Sequence, residues 1–74
     1  MNKKSDISYK EAELLRFIEN CQSLGFTPTY REMTETGIAS STATVNHYVN
    51  ELERFGYVLR DGHRARRIRV LKHG

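Results

Sequence analysis

A mainly α fold closed by a small β-hairpin is what these 74 residues predict, and three observations predict it. Apolar side chains recur at helical spacing across 9–24 and 45–55, with a short capped segment between them from Thr29 to Gly37. Gly25, Gly37 and Gly56 stand where the helical stretches stop. Beyond Gly56 the period falls to two, and Asp61-Gly62 marks a turn between Tyr57-Val58-Leu59-Arg60 and Arg67-Ile68-Arg69-Val70-Leu71. Three helices and then a hairpin, with a brief turn joining the second helix to the third, is the winged helix-turn-helix arrangement. The expected layout is one domain over 1–74, with an ordered core at about 7–71 and a basic wing at about 57–71.

The elements follow in order. Met1 to Ile7 is polar and expected to fray. Ser8-Tyr9-Lys10-Glu11 is a capping box, in which the serine hydroxyl accepts from the third helical amide and the glutamate returns to the serine N–H. The first helix then runs to about Leu24, with Leu14, Leu15, Phe17, Ile18, Cys21 and Leu24 on its apolar face, and Gly25 closes it in a left-handed turn. Pro28 pushes Thr27 out of helical space. Thr29-Tyr30-Arg31-Glu32 is a second capping box, so a short second helix starts there and stops at Gly37. Ser40 or Ser41 caps the third helix, which ends at Gly56. In the last strand Ile68 and Val70 face the core while Arg67 and Arg69 point out.

The third helix carries the functional signal. Val45, Tyr48, Val49, Leu52 and Phe55 form its apolar stripe, with Tyr48 expected to be core-facing or half-buried. Its opposite face opens with Thr42, Ala43, Thr44, Asn46, His47 and Asn50, none with a fixed charge, and the acids wait until Glu51 and Glu53. Solvated helix faces are usually dressed in Glu, Lys and Arg. A neutral donor/acceptor face suits the floor of a DNA major groove, where base edges are read by hydrogen bonds and methyl contacts.

Charge supports the same partner. Residues 1–56 hold six Lys/Arg against eight Asp/Glu, whereas 57–74 hold six Lys/Arg against Asp61 alone. A net −2 body with a +5 last quarter points to a polyanion met from one side. A domain of this length buries roughly 60% of its unfolded surface, which leaves little room for a substrate cleft, and no enzymatic activity is expected. No cofactor and no metal site are expected either. His47, His63 and His73 are scattered, the glycines are isolated, and Cys21 belongs to a core face. No apolar run spans a membrane, and the cytoplasm is the expected compartment.

The order of motifs also resembles a known family. Ser8-Tyr9-Lys10-Glu11, Gly25-Phe26-Thr27-Pro28-Thr29, Arg31-Glu32-Met33, Ser41-Thr42-Ala43-Thr44-Val45, Leu52-Glu53-Arg54-Phe55-Gly56-Tyr57 and the strand from Arg66 to Leu71 are similar to the N-terminal DNA-binding domain of LexA-type SOS repressors. The resemblance implies a winged helix-turn-helix with its third helix in the major groove and its wing on the backbone or minor groove. Carried over by position, it implies base contacts from Ser41, Ala43, Thr44, Asn46 and His47. Asn46 is the strongest of these, because its amide can fork onto adenine N6 and N7. Backbone contacts are expected from Thr29 and Arg31 at the start of the second helix, from Asn50, and from Arg64, Arg66 and Arg67 of the wing. The residue types differ from the family's best-known reading set, so its operator does not transfer. LexA repressors continue into a self-cleaving, dimerising serine/lysine protease-like domain, whereas this sequence stops at Gly74, so neither property is implied. Taken as a whole protein, it would be a stand-alone regulator.

The resulting expectation is sequence-specific binding of double-stranded DNA by a transcriptional repressor. Few apolar residues are expected to be exposed, so the chain should be a monomer off DNA, with two copies on an inverted repeat as the paired arrangement. Two alternatives stay open at this point. One is a winged helix that docks proteins, and the other is a DNA-architectural, replication or recombination accessory factor.

Overall fold

The structure is a computed structural model that describes residues 7–60 and 68–72. Three helices come first: α1 (Tyr9–Ser23), α2 (Tyr30–Glu35) and α3 (Thr42–Arg54). Two strands follow, β1 (Val58–Arg60) and β2 (Ile68–Val70), paired antiparallel with Val58 opposite Val70, Leu59 opposite Arg69 and Arg60 opposite Ile68. This is a three-helix winged helix-turn-helix.

Both capping boxes form. The Ser8 hydroxyl accepts from the Glu11 N–H at 3.1 Å, and Glu11 Oε1 accepts from the Ser8 N–H at 2.8 Å. Thr29 and Glu32 repeat those distances at the start of α2. Ser41, not Ser40, caps α3, and its hydroxyl accepts from the Thr44 N–H at 3.2 Å. At the other end of α1, Gly25 takes φ +103° and Phe26 N–H reaches back to the Cys21 carbonyl at 3.1 Å. Gly56 does the same for α3 at φ +82°, with Tyr57 N–H on the Leu52 carbonyl at 2.8 Å. A side chain at either glycine would crowd its own backbone, which is why these stops are glycine.

Helix α3 is the centre of the packing, in contact with α1, α2 and β1. Leu14, Leu15 and Ile18 of α1, Met33 of α2, Ala39 of the turn, Val45, Val49 and Leu52 of α3, and Val58 and Ile68 of the hairpin make one buried cluster. Each fully buried Leu, Ile or Met side chain contributes roughly 1.5–3 kcal/mol, so α3 is fixed mainly by its apolar stripe. Tyr48, Phe17 and Tyr57 pack half-buried around this cluster.

Three expectations need correction. Leu24 is 73% exposed rather than buried, because α1 stops at Ser23 and Leu24 is the C-cap, already turned off the core face. Phe55, also a C-cap, is only half-buried and lies under the Arg54 guanidinium, 5.2 Å from its ring centre. Exposed large apolar residues are not few: Tyr9, Phe26, Leu59 and Leu71 join Leu24. Cys21 is buried as expected, and burial, followed by the nearby Glu32 carboxylate, pushes its thiol pKa up. Met1 to Asp6, the Asp61-Gly62 turn and the wing residues Arg64, Arg66 and Arg67 lie outside the described residues.

Candidate nucleic-acid interface

The buried stripe of α3 dictates what its other face presents. With Val45, Val49 and Leu52 fully inside, Thr42, Ala43, Asn46, His47 and Asn50 are left exposed and Thr44 half-buried. The structure therefore brings the expected base-reading positions together on one accessible face. Ser41 is exposed at its N-terminal end, where its Oγ lies 3.2 Å from Thr44 Oγ1, so the two hydroxyls share a hydrogen bond while Ser41 also caps the helix. The His47 ring stands 6.1 Å from that of Tyr48.

Helix α2 stands against α3, with Arg31 exposed and Thr29 half-buried. The Thr29 N–H donates to the Glu32 carboxylate and its hydroxyl accepts from the Glu32 N–H, which leaves the hydroxyl hydrogen to donate outward. An anion arriving at this helix end would meet the Glu32 carboxylate already seated on the Thr29 amide.

One side chain missed by the sequence reading organises the face. Arg60 sits on β1 two residues after buried Val58, and alternation along a strand turns both to the same, inward side. Its Nε donates to Glu53 Oε1 at 3.1 Å and its Nη2 to the same oxygen at 2.9 Å. Its Nη1 donates to Tyr30 Oη and to Asn46 Oδ1, both at 3.3 Å, and its Nη2 also donates to Asn50 Oδ1. The Arg60 main-chain N–H completes the clamp on Glu53 Oε2 at 3.2 Å. Hydrogen bonds from the Arg60 side chain, then from its amide, hold the Glu53 carboxyl below its usual range against the opposing effect of burial. Burial alone would lower the guanidinium pKa, but Tyr30 and Glu53 outweigh it and the net shift is upward. Two signals pointed this way in the sequence: the period-two placement of Arg60 with Val58, and a carboxylate at Glu53 where the neutral face of α3 ends.

Among the described residues no cluster of three His, Cys, Asp or Glu is arranged to hold a metal ion, and no helix is long and apolar enough to cross a membrane. The arrangement presents hydroxyls, amides, a methyl group and an imidazole on a rigid helix, beside an arginine whose charge is matched by Glu53.

The family model described as the LexA DNA binding domain matches residues 4–67. The chain belongs to that family. This LexA-family domain is 39% identical over 66 residues to the LexA repressor of Lactobacillus johnsonii, an alignment covering 88% of the chain and 32% of the relative. Against the LexA repressor of Desulforamulus reducens it is 38% identical over 66 residues, covering 88% and 31%. Against that of Caldicellulosiruptor saccharolyticus it is 33% identical over 69 residues, covering 92% and 34%. The chain thus spans about a third of the length of these curated relatives.

Proposed function

We propose that this LexA-family domain binds double-stranded DNA sequence-specifically and acts as a transcriptional repressor by occupying promoter DNA. The carrying observation is the exposed, uncharged face of α3, set opposite a fully buried stripe and flanked by the hairpin. In this reading α3 enters the major groove, and Ser41, Ala43, Thr44, Asn46 and His47 meet base edges. Arg31 faces the phosphates, joined by Arg64, Arg66 and Arg67 of the wing and by the Thr29 hydroxyl, which accepts in the capping box and keeps its own O–H to donate. Asn50 joins Asn46 at the centre of the face rather than making the backbone contact expected of it. Two copies on an inverted repeat would each supply one half-site, and the cytoplasm is where such a repressor meets its DNA.

Selection from a random-sequence duplex pool at moderate salt tests this reading. One preferred site should be enriched, and Asn46→Ala should weaken binding to it by about 1–3 kcal/mol, the worth of one good base contact. A pool that enriches nothing, together with an Asn46→Ala protein that binds like the parent, defeats the proposal. Tight capture of a protein with DNA binding that is weak and indifferent to salt would support the protein-docking alternative instead.

A further inference from the structure

We propose that Arg60 is a positioning residue for base reading: it fixes the side-chain amides of Asn46 and Asn50 so that both present N–H donors to the DNA. The inference rests on the DNA-reading assignment above and adds to it which chemistry the centre of the reading face offers.

A guanidinium has five N–H donors and no acceptor. In this domain all five are engaged: Nε–H by Glu53, the two of Nη1 by Tyr30 and Asn46, and the two of Nη2 by Glu53 and Asn50. Two consequences follow. First, Arg60 has no donor left for a phosphate, although its place in the basic last quarter of the chain makes it look like a backbone contact. Secondly, only an amide oxygen can face a guanidinium, so Asn46 and Asn50 both turn Oδ1 toward Arg60 and Nδ2 away from it. Asn46 and Asn50 lie one helical turn apart, so the centre of the face carries two amides of the same polarity. They match base edges rich in acceptors, purine N7, guanine O6 or thymine O4, better than the exocyclic amines of adenine and cytosine.

Glu53 supplies the other half of the device. It takes two donors of the guanidinium and the Arg60 main-chain N–H, which anchors the arginine to α3 itself. It also cancels the positive charge beside the reading face. Without it Arg60 would be free to swing to a phosphate, and the two amides could turn over.

The test compares the wild type with Arg60→Met, Arg60→Lys, Asn46→Ala and Asn50→Ala by selection from a random duplex pool, and records the asparagine side-chain NH2 signals of each folded protein by 15N NMR. Arg60→Lys keeps the charge but cannot reach four partners at once, and it serves should Arg60→Met melt below the assay temperature. The expected result is that both Arg60 variants lose about ten-fold in preference, at the base pairs whose preference the two asparagine variants also lose. Adding Arg60→Met to Asn46→Ala and Asn50→Ala together should cost no further preference. The NH2 signals of Asn46 and Asn50 should be dispersed in the wild type and collapse toward free-amide values in both Arg60 variants, with the salt dependence of binding unchanged. A uniform loss of affinity across sequences, with the salt slope reduced by roughly 0.9, would make Arg60 a phosphate contact and overturn the inference. So would an enriched site whose preferences survive both Arg60 variants intact, and that outcome leaves the DNA-reading assignment standing. A wild type that enriches nothing removes the assignment and the inference together.

Discussion

The side-chain amide of Gln22, on α1, donates a 2.7 Å hydrogen bond to the main-chain oxygen of Ile68, on β2. It explains how so short a hairpin is held to the helices. Leu71 N–H donates to the Tyr57 carbonyl at 2.7 Å, which makes that couple a hydrogen-bonded pair of the ladder. By alternation Arg60 and Ile68 form a non-bonded pair whose main-chain groups point away from each other. Each outward group then finds a side chain on a different helix: Arg60 N–H meets Glu53 of α3, and Ile68 C=O meets Gln22 of α1. The hairpin is stitched along both edges.

Gln22→Leu should therefore destabilise the domain by about 1–3 kcal/mol, because it leaves a partly buried carbonyl without its donor. Urea unfolding measures the loss. Hydrogen exchange should show the hairpin amides losing protection before those of α3.

Leu52 and Leu24 should answer very differently to the same change. Leu52 is fully buried between helices and hairpin, and Leu52→Ala should cost about 2–5 kcal/mol, enough to unfold much of a small domain. Leu24 is 73% exposed, and Leu24→Ala should stay within about 0.5 kcal/mol. Thermal melts of the two variants beside the wild type check the contrast.

That contrast marks where the sequence was legible and where it was not. Caps and stops are local, so Ser8 with Glu11, Thr29 with Glu32, and the glycines at 25 and 56 could be read from neighbours three or four residues away. The period-two pattern likewise put Ile68 inside and Arg69 outside. Leu24 obeys the helical spacing but falls one residue past the last helical one, a boundary that spacing alone does not resolve. On α3 the buried stripe left the expected base-reading positions together on the outer face, as the periodicity required. The cluster joins Arg60 of β1 to Tyr30 of α2 and to Asn46, Asn50 and Glu53 of α3, and Gln22 meets a residue 46 positions later. Contacts of that kind depend on how elements pack: local spacing turns Arg60 inward with Val58 but does not name its partners.

The Glu53–Arg60 pair should make stability depend on pH in a defined window. The folded-state pKa of Glu53 lies below its usual value of 4.5, chiefly through hydrogen bonds from the Arg60 side chain. A carboxyl with a depressed folded pKa contributes fully above its unfolded pKa and loses that contribution as pH falls through the folded value. Wild-type stability should thus drop more steeply than that of Glu53→Gln below pH 4.5, and the two curves should run parallel at neutral pH. Urea midpoints measured across the acid range test this.

Ser41 has two assignments that substitution can separate. As the cap of α3 it satisfies the Thr44 amide, so Ser41→Ala should cost about 1 kcal/mol of stability and Ser41→Gly only a few tenths. If Ser41 also meets DNA, both variants should weaken binding to a selected duplex alike, despite their unequal stabilities. Denaturation and fluorescence anisotropy on the same samples give the two numbers.

The most direct measurement is a 15N NMR titration of the domain with a duplex enriched from the random pool. Base reading by α3 predicts the largest shifts at Thr42, Ala43, Asn46, His47 and Asn50, with Arg16, Asn20 and Leu24 of the α1 end nearly still. Largest shifts along α1, with the outer face of α3 unmoved, would contradict it.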